Sequence, residues 1–152
     1  MTPSKISQHI ISERVKWIRT MTENIRTLPL NTYDEFISDN KNIAAAESYL
    51  RRTLEALFDL GRHILAKGLG VAVTEYKQTA AELEKKGVLD KNVMQLLLLM
   101  AGYRNRMVHY YNEISDKELF EICSSQLSDV ETVVNAIIDW TKKNSDKIDK
   151  SI

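Results

Sequence analysis

The chain has 152 residues, and its 21 Lys+Arg balance its 21 Asp+Glu, so it carries no net charge. That length suits one domain, 1–152, with a full hydrophobic core, while the charge balance gives no global argument for nucleic acid, which would need a local basic patch. The single cysteine, Cys123, excludes an internal disulfide and any multi-cysteine metal site, and its helical setting reads as a small core residue.

The first residues are not followed by a continuous apolar segment, so no signal peptide is expected. The longest uncharged apolar run, 93–103, is too short to span a bilayer. The expectation is a cytoplasmic protein without a membrane association.

Pro3 and Ser4 read as a helix start. Ile6, Ile10, Ile11, Val15, Ile18, Met21 and Ile25 then recur at three- and four-residue spacing, an amphipathic stripe that Leu28 and Pro29 stop. Residues 31–40 are polar, with Tyr33, Phe36 and Ile37 as anchors, and read as a loop or a short helix. A second long helix opens near 40–42. Its apolar face runs from Ile43 through Ala46, Leu50, Leu54 and Leu57 to Leu65, and Gly68 and Gly70 end it. Gly61 inside this helix predicts a close crossing with a neighbour. Glu47, Asp59 and His63 are its polar groups, and the four-residue spacing of Asp59 and His63 predicts a local hydrogen bond. The other reading brings them near the arginine site described below.

Residues 74–86 read as a shorter third helix, with Tyr76, Ala80 and Leu83 inward and Gly87 as its stop. Asp90 is the expected N-cap of the fourth helix. Ser115 at N-cap with Glu118 at N3 is a capping box that opens a fifth. This fifth helix carries Leu119, Ile122, Cys123, Leu127, Val130, Val133, Val134, Ile137 and Trp140 in core register. The tail, 142–152, is polar and expected to fray. No period-two segment, repeat or low-complexity tract interrupts the pattern. The fold class is all-α, an antiparallel helix bundle of four long helices and one short, with short connections.

The fourth helix ends on an unusual combination. Val93, Leu96, Leu97, Met100, Tyr103, Met107 and Val108 keep helical spacing and predict a core face. Arg104, Asn105, Arg106 and His109 crowd the last turns off that face. Residues seven apart lie within roughly 20° on an ideal helix, so Arg104 and Tyr111 share a side. Arg104 and His109, five apart, are separated by roughly 140°. They converge only if the helix loosens or if another chain completes the pair. Asn105 and His109 are four apart and within reach of one another.

His109 near a helix C-terminus feels the negative end of the macrodipole, which favours its imidazolium and suits it to proton transfer. Arg104 offers a permanently charged fork that fits phosphate oxygens. Arginine and histidine together form a kit for cleaving RNA, whose 2′-OH is a built-in nucleophile. The plain alternative is a solvated arginine face with a capping histidine. Arg51, Arg52 and Arg62 are a second source of positive charge. General acid–base cleavage needs two proton-transfer groups, and a two-fold axis beside this helix would supply both, so a homodimer is expected. The run 96–100 is apolar almost all round, more than one bundle core needs.

Residues 102–111 resemble the HepT-type toxins of the HEPN superfamily, whose hallmark is an arginine, four variable residues and then His-x-Tyr. That pattern falls on Arg104, His109 and Tyr111. The segments around Ala46–Ile64 and 83–89 are also similar to the family, so the resemblance covers the chain from about its first helix to its fifth.

The resemblance implies a HEPN-like bundle and a metal-independent ribonuclease that is the toxin of a toxin–antitoxin pair and needs no cofactor. It implies that Arg104 and His109 of both protomers line a dimer cleft, with Asn105 in support. Its implied partners are an RNA substrate and an MntA-type minimal nucleotidyltransferase antitoxin. That antitoxin would transfer AMP from ATP onto Tyr111, although Tyr110 presents a second hydroxyl beside it. Added bulk and negative charge next to Arg104 would exclude an RNA phosphate. Two other readings stay open: a non-catalytic, nucleotide-binding partner subunit of a nucleotidyltransferase, and a structural bundle without activity.

Overall fold

The structure, a computed structural model, describes residues 3–109 and 114–152, with His109 described by its backbone alone. A two-residue strand, β1 (Ile6–Ser7), leads directly into helix α1 (Gln8–Arg26). Ser7 rather than Ser4 caps that helix, its hydroxyl accepting from the Ile10 amide at 3.2 Å. Most of the expected stripe is buried: Ile11, Val15, Ile18, Met21 and Ile25 face inward, joined by Thr22, while Ile10 is half-buried. The ambiguous polar segment contains a one-and-a-half-turn helix, α2 (Tyr33–Ile37), capped by Thr32. Phe36 is fully buried, and Tyr33 and Phe36 both pack on Phe120 with ring centroids 5.6 and 5.7 Å apart.

Helix α3 (Asn40–His63) is the central element. It packs along α1 and also touches α2 and several helices later in the chain. It continues into a π-helical turn, Ile64–Gly68, whose wider backbone closes around the side chain of Ile6. A Cβ on Gly68 would lie 2.5 Å from Ile6 Cδ1, so a larger residue there would displace the buried Ile6 side chain. Helix α4 (Tyr76–Lys85) crosses α3 at Gly61, where an added Cβ would meet Leu83 Cδ1 at 2.9 Å. The close crossing expected at Gly61 is therefore present.

Helix α5 (Lys91–His109) packs on α4 and against α3. Asp90 caps it, accepting from the Val93 amide at 2.8 Å. Leu97, Met100, Ala101 and Tyr103 are buried, while Leu98 and Leu99 are exposed at 38 and 51%. Val108, expected in the core, is instead exposed at the helix end.

The expected fifth helix is two helices, α6 (Asp116–Ser125) and α7 (Leu127–Lys143). The break is at Gln126 (φ −118°, ψ 4°), whose side-chain oxygen accepts from the Tyr103 hydroxyl at 2.9 Å. The step from Cys123 to Leu127 preserves four-residue spacing, so the hydrophobic period runs through the break unmarked.

The expected frayed tail is also corrected. A 3₁₀ turn (Ser145–Lys147) leads into strand β2 (Ile148–Asp149), which pairs parallel with β1 in the register Ile6 with Ile148 and Ser7 with Asp149. Ile148 is buried, the His9 amide donates to the Ile152 carbonyl at 2.9 Å, and Lys5 Nζ donates to the Asp146 carbonyl. Burying Ile148 beside Ile6 supplies what the polar composition conceals. One contiguous buried cluster joins β1, β2 and all of the described helices.

Candidate functional site

Arg104 projects from the apolar α5 towards α3 and α4. Its side chain is only 15% exposed. Nη2 donates to Glu55 Oε2 of α3 at 3.3 Å, and the guanidinium carbon lies 4.2 Å from the centre of the Tyr76 ring of α4. Burying a guanidinium is costly unless it is paired, and these two contacts offset that cost. Nε is buried and has no hydrogen-bond partner among the described residues. An orphaned buried donor costs about 1–3 kcal/mol, and such groups concentrate where function maintains them.

The groups that hold Arg104 are themselves held. Glu55 Oε1 accepts from Arg51 at 3.1 Å, and Arg51 also donates to Glu47 at 3.2 Å. Glu47, Arg51 and Glu55 follow one another at four-residue intervals and so form a ladder along one face of α3. Tyr76 also touches Phe58, with centroids 4.7 Å apart, and a second guanidinium, that of Arg62, lies 4.8 Å from its centre. Arg62 donates to Asp59 at 2.6 Å and to the Thr74 carbonyl at 3.0 Å.

Arg104 and Asn105 open onto a recess of about 360 Å³, walled on the other side by residues 74–77 of the turn into α4. Lys77 adds a second cation there. A recess with a tethered guanidinium, an amide and a lysine suits an anionic, phosphate-bearing ligand.

The other expected residues divide clearly. Asn105 lies beside Arg104 in the recess, as its sequence neighbourhood suggests. The side chain of His109, and Tyr110 and Tyr111 entirely, lie outside the described residues. Arg106 points elsewhere, donating with both terminal nitrogens to Glu118 at 2.9 and 2.7 Å. Glu118 therefore completes only half of the predicted capping box: its amide donates to Ser115 Oγ at 3.1 Å while its carboxylate holds Arg106.

The expected Asp59–His63 hydrogen bond is replaced by two others. Asp59 holds Arg62, and His63 Nε2 accepts the Ser7 amide at 3.1 Å. Burial lowers the His63 pKa from its ordinary value, and the nearby charges of Lys67 and Arg14 lower it further. His63 belongs to the β1 clasp, whereas Asp59 reaches the surroundings of Arg104 through Arg62. Cys123 is a core residue as expected, its thiol pKa pushed up to about 12 by burial.

The residues that sequence reasoning passed over are Glu55 and Lys77. The 47–51–55 alternation of charges was the available signal for the first.

The bundle and its arginine-centred recess define a helical protein with the fold of the HEPN toxins. A solved structure described as a tri-AMPylated Shewanella oneidensis HEPN toxin in complex with an MNT antitoxin superposes with a TM-score of 0.77 at 21% identity, covering 86% of this chain and 97% of that one. A toxin–antitoxin crystal structure with AMP-PNP gives 0.75 at 20% identity, over 84 and 97%. The tRNA nuclease HepT of Aphanizomenon flos-aquae is 25% identical over 135 residues, 88% of this chain and 91% of that protein. Residues 6–137 match the family model described as Ribonuclease HepT-like, and the chain belongs to that family. No helix among the described residues is long and apolar enough to cross a membrane.

Proposed function

We propose that this protein is the toxin of a toxin–antitoxin pair and a metal-independent ribonuclease. The observation that carries the reading is the state of Arg104: a nearly buried guanidinium, fixed by Glu55 and Tyr76 at the rim of a recess, on the same helix as His109. Family membership supports it independently.

In this mechanism His109 takes the proton of the ribose 2′-OH. The freed oxygen attacks the adjacent phosphorus, forming the O2′–P bond as the P–O5′ bond breaks. A second His109, from a partner protomer, protonates the departing O5′. The products are a 2′,3′-cyclic phosphate and a 5′-hydroxyl end. Arg104 stabilises the charge that builds on the non-bridging oxygens, and Asn105 supports the phosphate or the imidazole. No step requires a metal ion. The shared cleft makes the active form a homodimer, and the exposed Leu98 and Leu99 of α5 are apolar surface consistent with such an interface.

The antitoxin in this reading is a minimal nucleotidyltransferase that transfers AMP from ATP to the Tyr111 hydroxyl, releasing pyrophosphate. The added phosphate then competes for Arg104. Co-expression with the candidate nucleotidyltransferase should add AMP-sized increments to the intact mass, and Tyr111→Phe should abolish them. A Tyr111→Phe protein that still gains the mass assigns the modification elsewhere. Full activity from a monomer at high dilution contradicts the shared cleft. Loss of nucleotide binding alone in Arg104→Ala and His109→Ala, with no RNA cleavage to lose, favours the non-catalytic partner subunit.

A further inference from the structure

A second groove, about 520 Å³ in volume, runs between α1 and α3. Trp17 lines it and is 44% exposed, although its neighbour Ile18 is fully buried. Every acid of this groove is already paired within the chain. Glu13 accepts from Arg14 at 2.8 Å, Asp59 accepts from Arg62, and both oxygens of Glu55 accept from arginines, Arg51 and Arg104. Lys16 and Arg52 also line the groove, and neither has an ion pair among the described residues. The groove therefore presents an indole in water together with the cations Lys16 and Arg52.

We infer that this groove binds single-stranded RNA, with a base stacked on Trp17 and backbone phosphates on Lys16 and Arg52. An aromatic plate bordered by long cationic side chains is how single strands are held without sequence readout, because every base has a π-face and every nucleotide a phosphate. The position supports the assignment. Glu55 lines the groove with one edge and holds Arg104 with Oε2, so a single carboxylate separates this surface from the proposed cleavage site. A protein partner is less well matched here. The exposed aliphatic side chains Leu98 and Leu99 lie on α5, whereas Trp17 is the one large exposed hydrophobic of α1 and is surrounded by charge.

This inference rests on RNA being the substrate, and its test is separable from cleavage. The chain has two tryptophans, so Trp140→Phe leaves Trp17 as the sole indole reporter. The probe is a 2′-O-methyl oligouridine, which lacks the nucleophile and cannot be cut. Saturable quenching of Trp17 emission is expected, weakening steeply with salt. The Lys16→Ala/Arg52→Ala double variant should flatten the log–log salt slope by about 1.4, two phosphate contacts on a single strand. Trp17→Ala, with its melting temperature unchanged, should weaken binding of a fluorescein-labelled oligomer about tenfold. It should also raise the KM of long substrates while sparing kcat.

Trp17 emission that ignores the oligomer while anisotropy reports binding elsewhere overturns the inference and leaves the nuclease reading intact. Quenching by the nucleotidyltransferase but not by RNA overturns it in favour of protein docking. Quenching in a protein that cleaves no RNA keeps this groove and removes only the nuclease.

Discussion

Two polar clusters branch from α3, and they are built on opposite principles. At the C-terminal end of the helix, His63 accepts the Ser7 amide, β1 pairs with β2, and Ile6 fills the space above Gly68. In that clasp the buried polar groups find partners and the result is architecture. Near the middle, Glu55 reaches Arg104, whose guanidinium rests on Tyr76 beside an open recess and whose Nε has no hydrogen-bond partner among the described residues. A histidine in apolar surroundings and an arginine in apolar surroundings look equally suggestive in a sequence. What separates them is whether the fold completes their hydrogen bonds or leaves one side facing a cavity.

The largest expected effects fall on the two residues of the proposed chemistry, His109 and Arg104. His109→Ala should lower RNA cleavage by about 10²–10⁴-fold, the usual contribution of a positioned acid or base. Arg104→Ala should lower it by about 10²–10³-fold, as loss of a transition-state donor does. Growth inhibition should disappear with either, while the far-ultraviolet circular dichroism spectrum stays unchanged. Glu55→Gln keeps the shape but removes the charge that tethers Arg104. A fall of about tenfold in kcat, larger than any change in melting temperature implies, is expected from stopped-time cleavage assays.

The clasp should respond in stability instead. Ile148→Ala removes buried surface at the β1–β2 pair and should cost about 2 kcal/mol. For a chain of this size that lowers the melting temperature by roughly 4–8 °C. An unchanged midpoint would mean that the tail contributes nothing, as its polar composition suggests.

The smallest effect is on pH dependence. His63 has a lowered pKa in the fold, so the folded state favours the neutral ring, which accepts from Ser7. The stabilisation is complete above the ordinary histidine pKa and is lost as pH falls below it through the folded value. Melting between pH 7.5 and 5 should show a decline that His63→Gln flattens. A decline of equal size in His63→Gln would assign it to other groups.

Much of this arrangement was legible before the fold was known. The caps at Asp90 and Ser115, the stripe of α1 and the close crossing at Gly61 follow from local chemistry, and local chemistry survives into the tertiary structure. The break at Gln126 was hidden because Cys123 and Leu127 keep the hydrophobic register across it. The docked tail was hidden because a single buried Ile148 anchors a segment whose other residues are polar. Arg104 stood out from its motif, but its tether did not. Glu55 is recruited across space from another helix, and a charge on a helix face reads as solvated until the facing residue is known. The Asp59–His63 spacing misled for the same reason, since both residues found partners outside the i,i+4 pair.

The most direct test is cleavage of purified tRNA in excess EDTA, with the new ends mapped, by the wild-type protein and by Arg104→Ala of equal melting temperature. Fragments ending in 2′,3′-cyclic phosphate are expected from the wild type and essentially none from Arg104→Ala. Undiminished cleavage by Arg104→Ala, or wild-type cleavage that stops when EDTA is added, would contradict the proposed mechanism.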